Sequence, residues 1–137
     1  MREYDVSNIE MLPSITLELL RLADNCIFAI YGEMGVGKTT LINSFCQNLN
    51  VVDSVSSPTF PIVNEYSTID GDSVFHFDFY RIDNIQDLDS IGLDAYFNSG
   101  YYCFIEWPSI IQSELNVDFH SIKLKKYKKH RKLIFLQ

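Results

Sequence analysis

Gly32-Glu33-Met34-Gly35-Val36-Gly37-Lys38-Thr39 is the stretch that decides the fold of this chain. It matches the phosphate-loop pattern G-x-x-x-x-G-K-[ST]. An apolar run of strand length, 26–31, precedes the loop, and apolar residues at helical spacing follow it at Leu41, Phe45 and Leu49. A strand, this loop and a helix in that order form the context in which the pattern binds a nucleotide. We therefore predict an α/β fold with a nucleotide site.

The residue types of the loop predict how it would hold phosphates. Its glycines allow close backbone approach, so that successive N–H groups line the phosphates at a helix N-terminus. Lys38, which we expect to face solvent until phosphate arrives, places its charge on the β and γ phosphates, and the Thr39 hydroxyl ligates Mg²⁺. The predicted nucleotide-binding residues here are Glu33, Met34, Gly35, Val36, Gly37, Lys38, Thr39 and Thr40.

Length and composition predict one globular domain spanning 1–137. The chain has 137 residues, of which 47% are hydrophobic, enough to build a core. No apolar run approaches the ~20 residues that cross a bilayer, and the acidic N-terminal segment is unlike a signal peptide. Cys26, Cys46 and Cys103 lie among apolar neighbours without metal-ligand spacing, which indicates reduced thiols. We expect a cytoplasmic protein that makes no membrane contact.

A hairpin is predicted around Asp70-Gly71, between strands 62–66 and 74–81. Alternation along the second strand places three phenylalanines on one face and three polar side chains on the other. The polar side chains are those of His76, Asp78 and Tyr80. We predict a Mg²⁺-linked role for Asp78 beside the phosphate loop. We interpret His76 as an ordinary side chain of a half-exposed antiparallel strand.

A second carboxylate is predicted at the end of the apolar strand 101–106. A buried strand that delivers an acid to its carboxyl end is the Walker B pattern, and open α/β sheets bind ligands at that edge. Glu106 could there hold Mg²⁺ through water or orient an attacking water molecule.

The segment 56–61 cannot be regular helix, because two prolines bracket it. Thr59 in this segment either belongs to an ordinary polar loop or senses the γ-phosphate, as switch segments do. Local patterns also predict a strand over 51–55, a helix over 85–90 that ends at Gly92, and a short helix over 109–115.

The charges of the chain are strongly segregated. The net charge is −7, yet seven of the 11 Lys and Arg residues lie between Lys123 and Lys132, beyond the last acidic residue, Asp118. Two strands, 119–127 and 131–136, are predicted around this segment, which we call the basic hairpin (residues 123–132). Its lysines either keep an edge hairpin solvated or dock on an acidic partner or RNA.

Five motifs stand in one order along the chain. They are GEMGVGKTT at 32–40, SPTF at 57–60, HFDFYR at 76–81, IGLDAYF at 91–97 and IEWP at 105–108. Together they resemble the TsaE family, formerly YjeE, over nearly the whole chain. The family consists of small bacterial P-loop ATPases needed for the threonylcarbamoyladenosine (t6A) modification of tRNA. The resemblance implies a P-loop NTPase-like three-layer sandwich, with a mainly parallel central sheet and antiparallel hairpins.

The resemblance also implies roles for single residues and partners. ATP would be hydrolysed while the chain is bound to a TsaB–TsaD pair, with tRNA contacted indirectly or weakly. Lys38 would bind phosphates, Thr39 and Asp78 would attend Mg²⁺, Glu106 would act at the metal or the water, and Thr59 would belong to a switch-like loop. The chain departs from the family pattern at position 109, where Ser follows Trp-Pro in place of the common Glu. The C-terminal strands match poorly, and we carry nothing over from them.

Other classes of phosphate-loop protein are alternatives. A small-molecule kinase would need an acceptor pocket and usually an Arg-bearing lid, and no lid-like insertion is visible in the sequence. A GTPase would need an Asn-Lys-x-Asp motif, which is absent. A non-catalytic module that binds a nucleotide and gates a partner is the third alternative, against which Asp78 and Glu106 argue.

Overall fold

A computed structural model describes residues 1–58, 62–80 and 82–137 of the chain. Within these residues it contains one seven-stranded sheet. The strands are β1 (Arg2–Asp5), β2 (Ile27–Tyr31), β3 (Val63–Ser67), β4 (Ser73–Asp78), β5 (Tyr102–Glu106), β6 (His120–Tyr127) and β7 (His130–Leu136). The helices are α1 (Leu12–Leu22), α2 (Lys38–Asn48) and α3 (Leu93–Phe97), with 3-10 turns at Ile9–Met11, Ile85–Leu88 and Pro108–Glu114.

The strand order is β1-β7-β6-β2-β5-β4-β3. The four middle strands, β6, β2, β5 and β4, are parallel to one another, whereas β1, β7 and β3 join them by antiparallel pairing. The predicted hairpins and the parallel centre of the sheet are therefore both confirmed. Because β2 lies between two parallel neighbours, the loop that follows it opens at the carboxyl edge of the sheet, where ligands bind in such sheets.

Side chains alternate along the central strands and build two hydrophobic cores. Phe28 and Phe104 belong to the core that includes the buried faces of α1 and α2. Ile27 and Ile105, their sequence neighbours, belong to the other core, which includes residues of α3 and of the 3-10 turns. Since successive strand residues point to opposite faces, the two cores cover both sides of the sheet. The result is a mixed α/β fold.

The two longer helices pack together beside the phosphate loop. Pro13 lies in the first turn of α1, and Leu41, Ile42 and Phe45 of α2 are buried. Thr16 Oγ1 on α1 lies 2.9 Å from the Ser44 hydroxyl on α2, so their buried polar groups satisfy each other. Each of these helices has 11 residues, and no helix within the described ranges is long and apolar enough to cross a membrane.

Three predicted elements differ from the structure. The predicted strand 51–55 is reduced to one bridge between Val51 and Thr68, and Val52 is 64% exposed. The prediction rested on β-branched residues, which favour a strand only where a partner strand continues alongside. The predicted helix 85–90 is a 3-10 turn. Gly92, at φ 71, precedes α3 instead of ending a helix. The predicted short helix at 109–115 is a 3-10 helix over Pro108–Glu114.

The terminal hairpin is not at the edge of the sheet. Its strand β6 pairs with β2 in parallel, and β7 is covered by β1. The predicted edge position is therefore wrong, because the neighbour of β7 comes from the other end of the sequence, where local patterns give no sign of the pairing. The pairings with β2 and β1 end at Lys123 and Lys132, and the lysines between them are exposed, as a solvated hairpin requires.

Candidate functional site

The site lies where three parallel strands end. Asp78 and Glu106 are the last residues of β4 and β5, and they stand opposite each other in register, as do Glu106 and Ile30 of β2. The phosphate loop begins at Gly32, directly after Tyr31, the last residue of β2. These residues open onto a cavity of about 1380 Å³ that Lys38, Thr39, Asp78, Glu106 and Trp107 help to line.

The glycines of the loop are required for different structural reasons. Gly35 and Gly37 have φ values of 79° and 111°, in the left-handed region that other residues avoid. A Cβ atom at Gly32 would lie 2.7 Å from Val36 Cγ1 and 3.1 Å from the Leu124 carbonyl oxygen, so this glycine lets the loop pass close to β6. Gly37 caps α2, and its conformation turns the chain directly into the helix.

Lys38 is buried, not solvent-facing as we predicted, with only 6% of its surface exposed. Its Nζ donates hydrogen bonds to the carbonyl oxygens of Gly32 at 2.6 Å and Glu33 at 3.1 Å, and it lies 4.1 Å from the centre of the Trp107 ring. Burial lowers the pKa of Lys38, while the charges of Glu106 and Asp78 oppose that shift. The prediction failed because the loop wraps around the ammonium group, a contact that the sequence pattern does not reveal.

Thr39 and Glu106 come together as predicted. The Thr39 hydroxyl lies 3.4 Å from both carboxylate oxygens of Glu106 and 3.0 Å from the hydroxyl of Ser57. Glu106 itself is only 4% exposed. The first turn of α2 and the end of β5 thus place a hydroxyl and a carboxylate side by side.

Asp78 completes a set of oxygen atoms at this edge. One of its oxygens accepts a hydrogen bond from the Tyr80 N–H at 3.0 Å. Burial is the main cause that raises the pKa of Asp78, and the Glu106 charge adds to it, whereas the Tyr80 hydrogen bond lowers it. Two carboxylates near each other make this position favourable for a cation.

The oxygen ligands offered here fit Mg²⁺ better than they fit a metal ion whose ligands are all protein side chains. Among the described residues, no group of three or more His, Cys, Asp or Glu side chains could hold a metal ion. Thr39, Asp78 and Glu106 offer one hydroxyl and two carboxylates instead. Mg²⁺ is usually held by one or two carboxylates and completes its shell with water and substrate phosphates.

His76 is the residue whose environment we predicted wrongly. Its side chain is fully buried, with Nε2 at 2.7 Å from Glu106 Oε2 and Nδ1 at 3.1 Å from the Tyr66 hydroxyl. The prediction of a half-exposed strand was wrong, because β4 lies between β3 and β5 and packs on both faces. The signal was the alternation itself, which places His76 on the same face as Asp78.

Trp107 was missed as a member of the site. It follows Glu106 with φ 57, and its ring contacts the Tyr80 ring with centroids 4.9 Å apart, in addition to Lys38. A signal existed, since this is the only tryptophan of the chain and it directly follows the strand that ends in an acid.

The remaining predicted nucleotide-binding residues are placed around the loop. Glu33, Met34, Gly35 and Thr40 are exposed, whereas Val36 is buried and its side chain belongs to the core. The contacts of their backbone N–H groups with phosphate stay a prediction. Thr59 lies outside the described residues.

The basic hairpin borders the phosphate loop on its other side. Lys123, Lys125 and Lys126 line a second cavity of about 810 Å³ together with residues 31–36 and Trp107. Lys132 lies 3.4 Å from a carboxylate oxygen of Glu3, in an ion pair exposed to solvent. The positive charges therefore begin directly beside the site.

Known proteins resemble this chain in sequence and in fold. The model of a family described as "Threonylcarbamoyl adenosine biosynthesis protein TsaE" matches residues 6–134. A tRNA threonylcarbamoyladenosine biosynthesis protein TsaE from Haemophilus influenzae is 38% identical over 111 residues, which cover 74% of this chain and 70% of that protein. The protein of the same name from Bacillus subtilis is 34% identical over 101 residues, which cover 73% of this chain and 61% of that protein.

A solved structure agrees with these sequence matches. The crystal structure of YdiB from Bacillus subtilis superposes with a TM-score of 0.78 at 27% identity, and the superposition covers 98% of this chain and 83% of that one. The family model matches most of the length of the chain, and the loop and the two carboxylates lie together in the structure. The chain therefore belongs to the TsaE family.

Proposed function

We propose that this protein is a P-loop NTPase-like ATPase that binds ATP with Mg²⁺ and hydrolyses it as an accessory subunit in t6A biosynthesis. The observation that carries the proposal is the convergence of Lys38, Thr39, Asp78 and Glu106 at the carboxyl edge of the parallel strands. Each of these residue types has a part in phosphoryl transfer, and the parts are close enough to act on one substrate.

The residues divide the work as follows. Backbone N–H groups of the loop cradle the phosphates, and Lys38, two of whose donors are held by loop carbonyls, places its charge and its third donor on them. Thr39, Asp78 and Glu106 would hold Mg²⁺, and the metal would supply neutralisation of the phosphate charge. Glu106 accepts a hydrogen bond from the attacking water and orients it. Because Glu106 is almost fully buried, its carboxylate meets little competition from bulk water.

The biological role is proposed from the family. The relatives are named as tRNA threonylcarbamoyladenosine biosynthesis proteins. We propose that this chain serves the same modification in the cytoplasm, with TsaB-type and TsaD-type proteins as its partners and with tRNA contacted indirectly or weakly. The basic hairpin beside the site offers a surface for an acidic face of that pair.

Measuring ATP turnover tests this function. Inorganic phosphate release is followed for the chain alone and with a TsaB–TsaD pair from the same organism, in the presence and absence of Mg²⁺. We expect slow turnover alone and faster turnover with the pair, and Lys38→Ala should abolish both. Absence of hydrolysis under every condition would contradict the proposal. Transfer of the γ-phosphate to a metabolite instead of water would favour the small-molecule kinase, and tight binding without turnover would favour the nucleotide-gated module.

A further inference from the structure

A ring of hydrogen bonds connects Glu106 to the segment Ser56–Ser57. From Glu106 it runs to His76 Nε2 at 2.7 Å, and from His76 Nδ1 to the Tyr66 hydroxyl at 3.1 Å. The Tyr66 hydroxyl lies 2.9 Å from the carbonyl oxygen of Ser56. The next residue, Ser57, returns to the site through its 3.0 Å contact with Thr39, which lies beside Glu106.

The Tyr66 hydroxyl has one proton, so it donates either to His76 Nδ1 or to the Ser56 carbonyl oxygen, and not to both at once. A ring nitrogen 2.7 Å from a carboxylate oxygen carries the proton, so we assign Nε2–H of His76 as the donor to Glu106. Nδ1 then accepts the Tyr66 hydroxyl proton. The Ser56 carbonyl oxygen accepts from the Asn64 side-chain amide at 3.0 Å, and the Tyr66 oxygen accepts from the Ser56 N–H at 3.2 Å.

The ring lies in the interior of the protein. His76, Tyr66 and Glu106 have exposed fractions of 0%, 3% and 4%. A hydrogen bond to a charged group is stronger when water is excluded, and two partners on one carboxylate fix its rotation. His76 holds one oxygen of Glu106, and Thr39 lies at equal distance from both oxygens.

We propose that His76 is a positioning residue that orients the Glu106 carboxylate toward Thr39, and that Tyr66 links this orientation to the Ser56–Ser57 segment. Movement of that segment would change the hydrogen bond of Tyr66 and, through His76, the orientation of Glu106. The inference rests on the proposed function, because orientation of Glu106 matters to turnover only if Glu106 serves the metal or the water. Partners that orient a metal-site ligand in this way commonly change activity or metal affinity by about 10- to 100-fold when removed.

A purely structural role for His76 is the competing explanation. A buried histidine with two partners could be retained only for stability. In that case its removal would lower the melting temperature and affect turnover no more than any equal loss of stability.

The experiment combines substitutions at the two ends of the central hydrogen bond. His76→Phe removes both ring nitrogens and keeps a planar ring, and His76→Gln keeps an amide N–H near the position of Nε2. Glu106→Gln and the double variant His76→Phe/Glu106→Gln complete the cycle. The matched control is His120→Phe, since His120 is also buried and lies 3.1 Å from the carboxylate of Asp24, at the other end of β6 from the site.

Two readouts are taken on the full chain, the first with the TsaB–TsaD pair and the second without it. The first is kcat and KM for ATP. The second is the half-saturating Mg²⁺ concentration for binding a non-hydrolysable ATP analogue, measured by calorimetry on the chain alone. His76→Phe should lower kcat by about tenfold or more, raise the Mg²⁺ concentration needed by about tenfold, and change KM by less than about twofold. His76→Gln should recover most of the loss, and His120→Phe should match the parent.

The double variant decides the outcome. If His76 acts through Glu106, His76→Phe should have no further effect on kcat in the Glu106→Gln background. Full additivity of the two effects, or a parent-like kcat and Mg²⁺ dependence for His76→Phe, would overturn the positioning role while a slow Glu106→Gln variant leaves the proposed function intact. Failure of the parent to hydrolyse ATP even with the pair would overturn both.

Discussion

Lys38→Ala should weaken nucleotide binding strongly and stability only slightly. An ammonium group has three donors, and Lys38 directs two of them to the carbonyl oxygens of Gly32 and Glu33. One donor is therefore left for a phosphate oxygen, and a hydrogen bond of this charge-assisted kind contributes about 1.5–3 kcal/mol. Its loss corresponds to a roughly 10- to 150-fold higher Kd for ATP with Mg²⁺.

The stability of the variant follows from the burial of the ammonium group. Burial lowers the pKa of Lys38, which means that folding disfavours its charged form. Removing the charge relieves that cost and at the same time removes the two hydrogen bonds to the loop, so the opposing effects offset each other in part. We expect the free energy of unfolding to change by less than about 1 kcal/mol.

Calorimetric titration with ATP and Mg²⁺, together with urea unfolding, measures both quantities. Lys38→Met is the matched control, because it keeps an apolar side chain under the Trp107 ring and removes the charged donor group. If charge is the cause, Ala and Met should weaken binding equally. An unchanged Kd in both variants would refute the assignment of the loop as a phosphate site, and recovery of binding by Met alone would refute the role of the charge.

Four further variants test other parts of the molecule. Asp78→Asn and Glu106→Gln should lower ATP hydrolysis by about 10²-fold while changing nucleotide affinity less, and parent rates for both in the assembled complex would contradict the site. Charge reversal in the basic hairpin (Lys125, Lys126, Lys128 and Lys129→Glu) should leave the fold intact and weaken binding to the TsaB–TsaD pair, and parent binding should fall as salt is added; unchanged binding to both pair and tRNA would leave the lysines with a solubility role. Gly32→Ala should lower the free energy of unfolding by about 1–3 kcal/mol through the contacts of its Cβ with Val36 and β6, and an unchanged urea midpoint would show that the loop can move aside.

Local patterns were sufficient for the parts of the fold that depend on neighbours in sequence. The phosphate loop, the hairpin at Asp70-Gly71 and the two strands around the basic hairpin are all set by residue type and spacing over a few positions. The two carboxylates were predicted from strand ends, because parallel strands deliver their last residues to one edge. Their closeness to each other and to Thr39 agrees with that reasoning.

The failures concern contacts between segments far apart in the sequence. The local sequence predicts His76 as a half-exposed strand residue, because it does not show that β5 lies beside β4 and brings Glu106 to His76. The sequence predicts Lys38 as a solvent-facing cation, because it does not show that the loop carbonyls and Trp107 surround the side chain. In the same way, the sequence around β7 carries no sign that β1 pairs with it.

The parallel pairing of β6 with β2 has a consequence for the order of folding. Gly32 packs against the backbone of Leu124, so one wall of the phosphate loop comes from a strand synthesised long after the loop itself. A nascent chain that has emerged only as far as β5 holds the strand, loop and helix of the motif but lacks that wall. Contacts between such distant segments slow folding, because a long loop must close before they form. Competence to bind nucleotide should therefore arise late in folding, when the C-terminal hairpin docks.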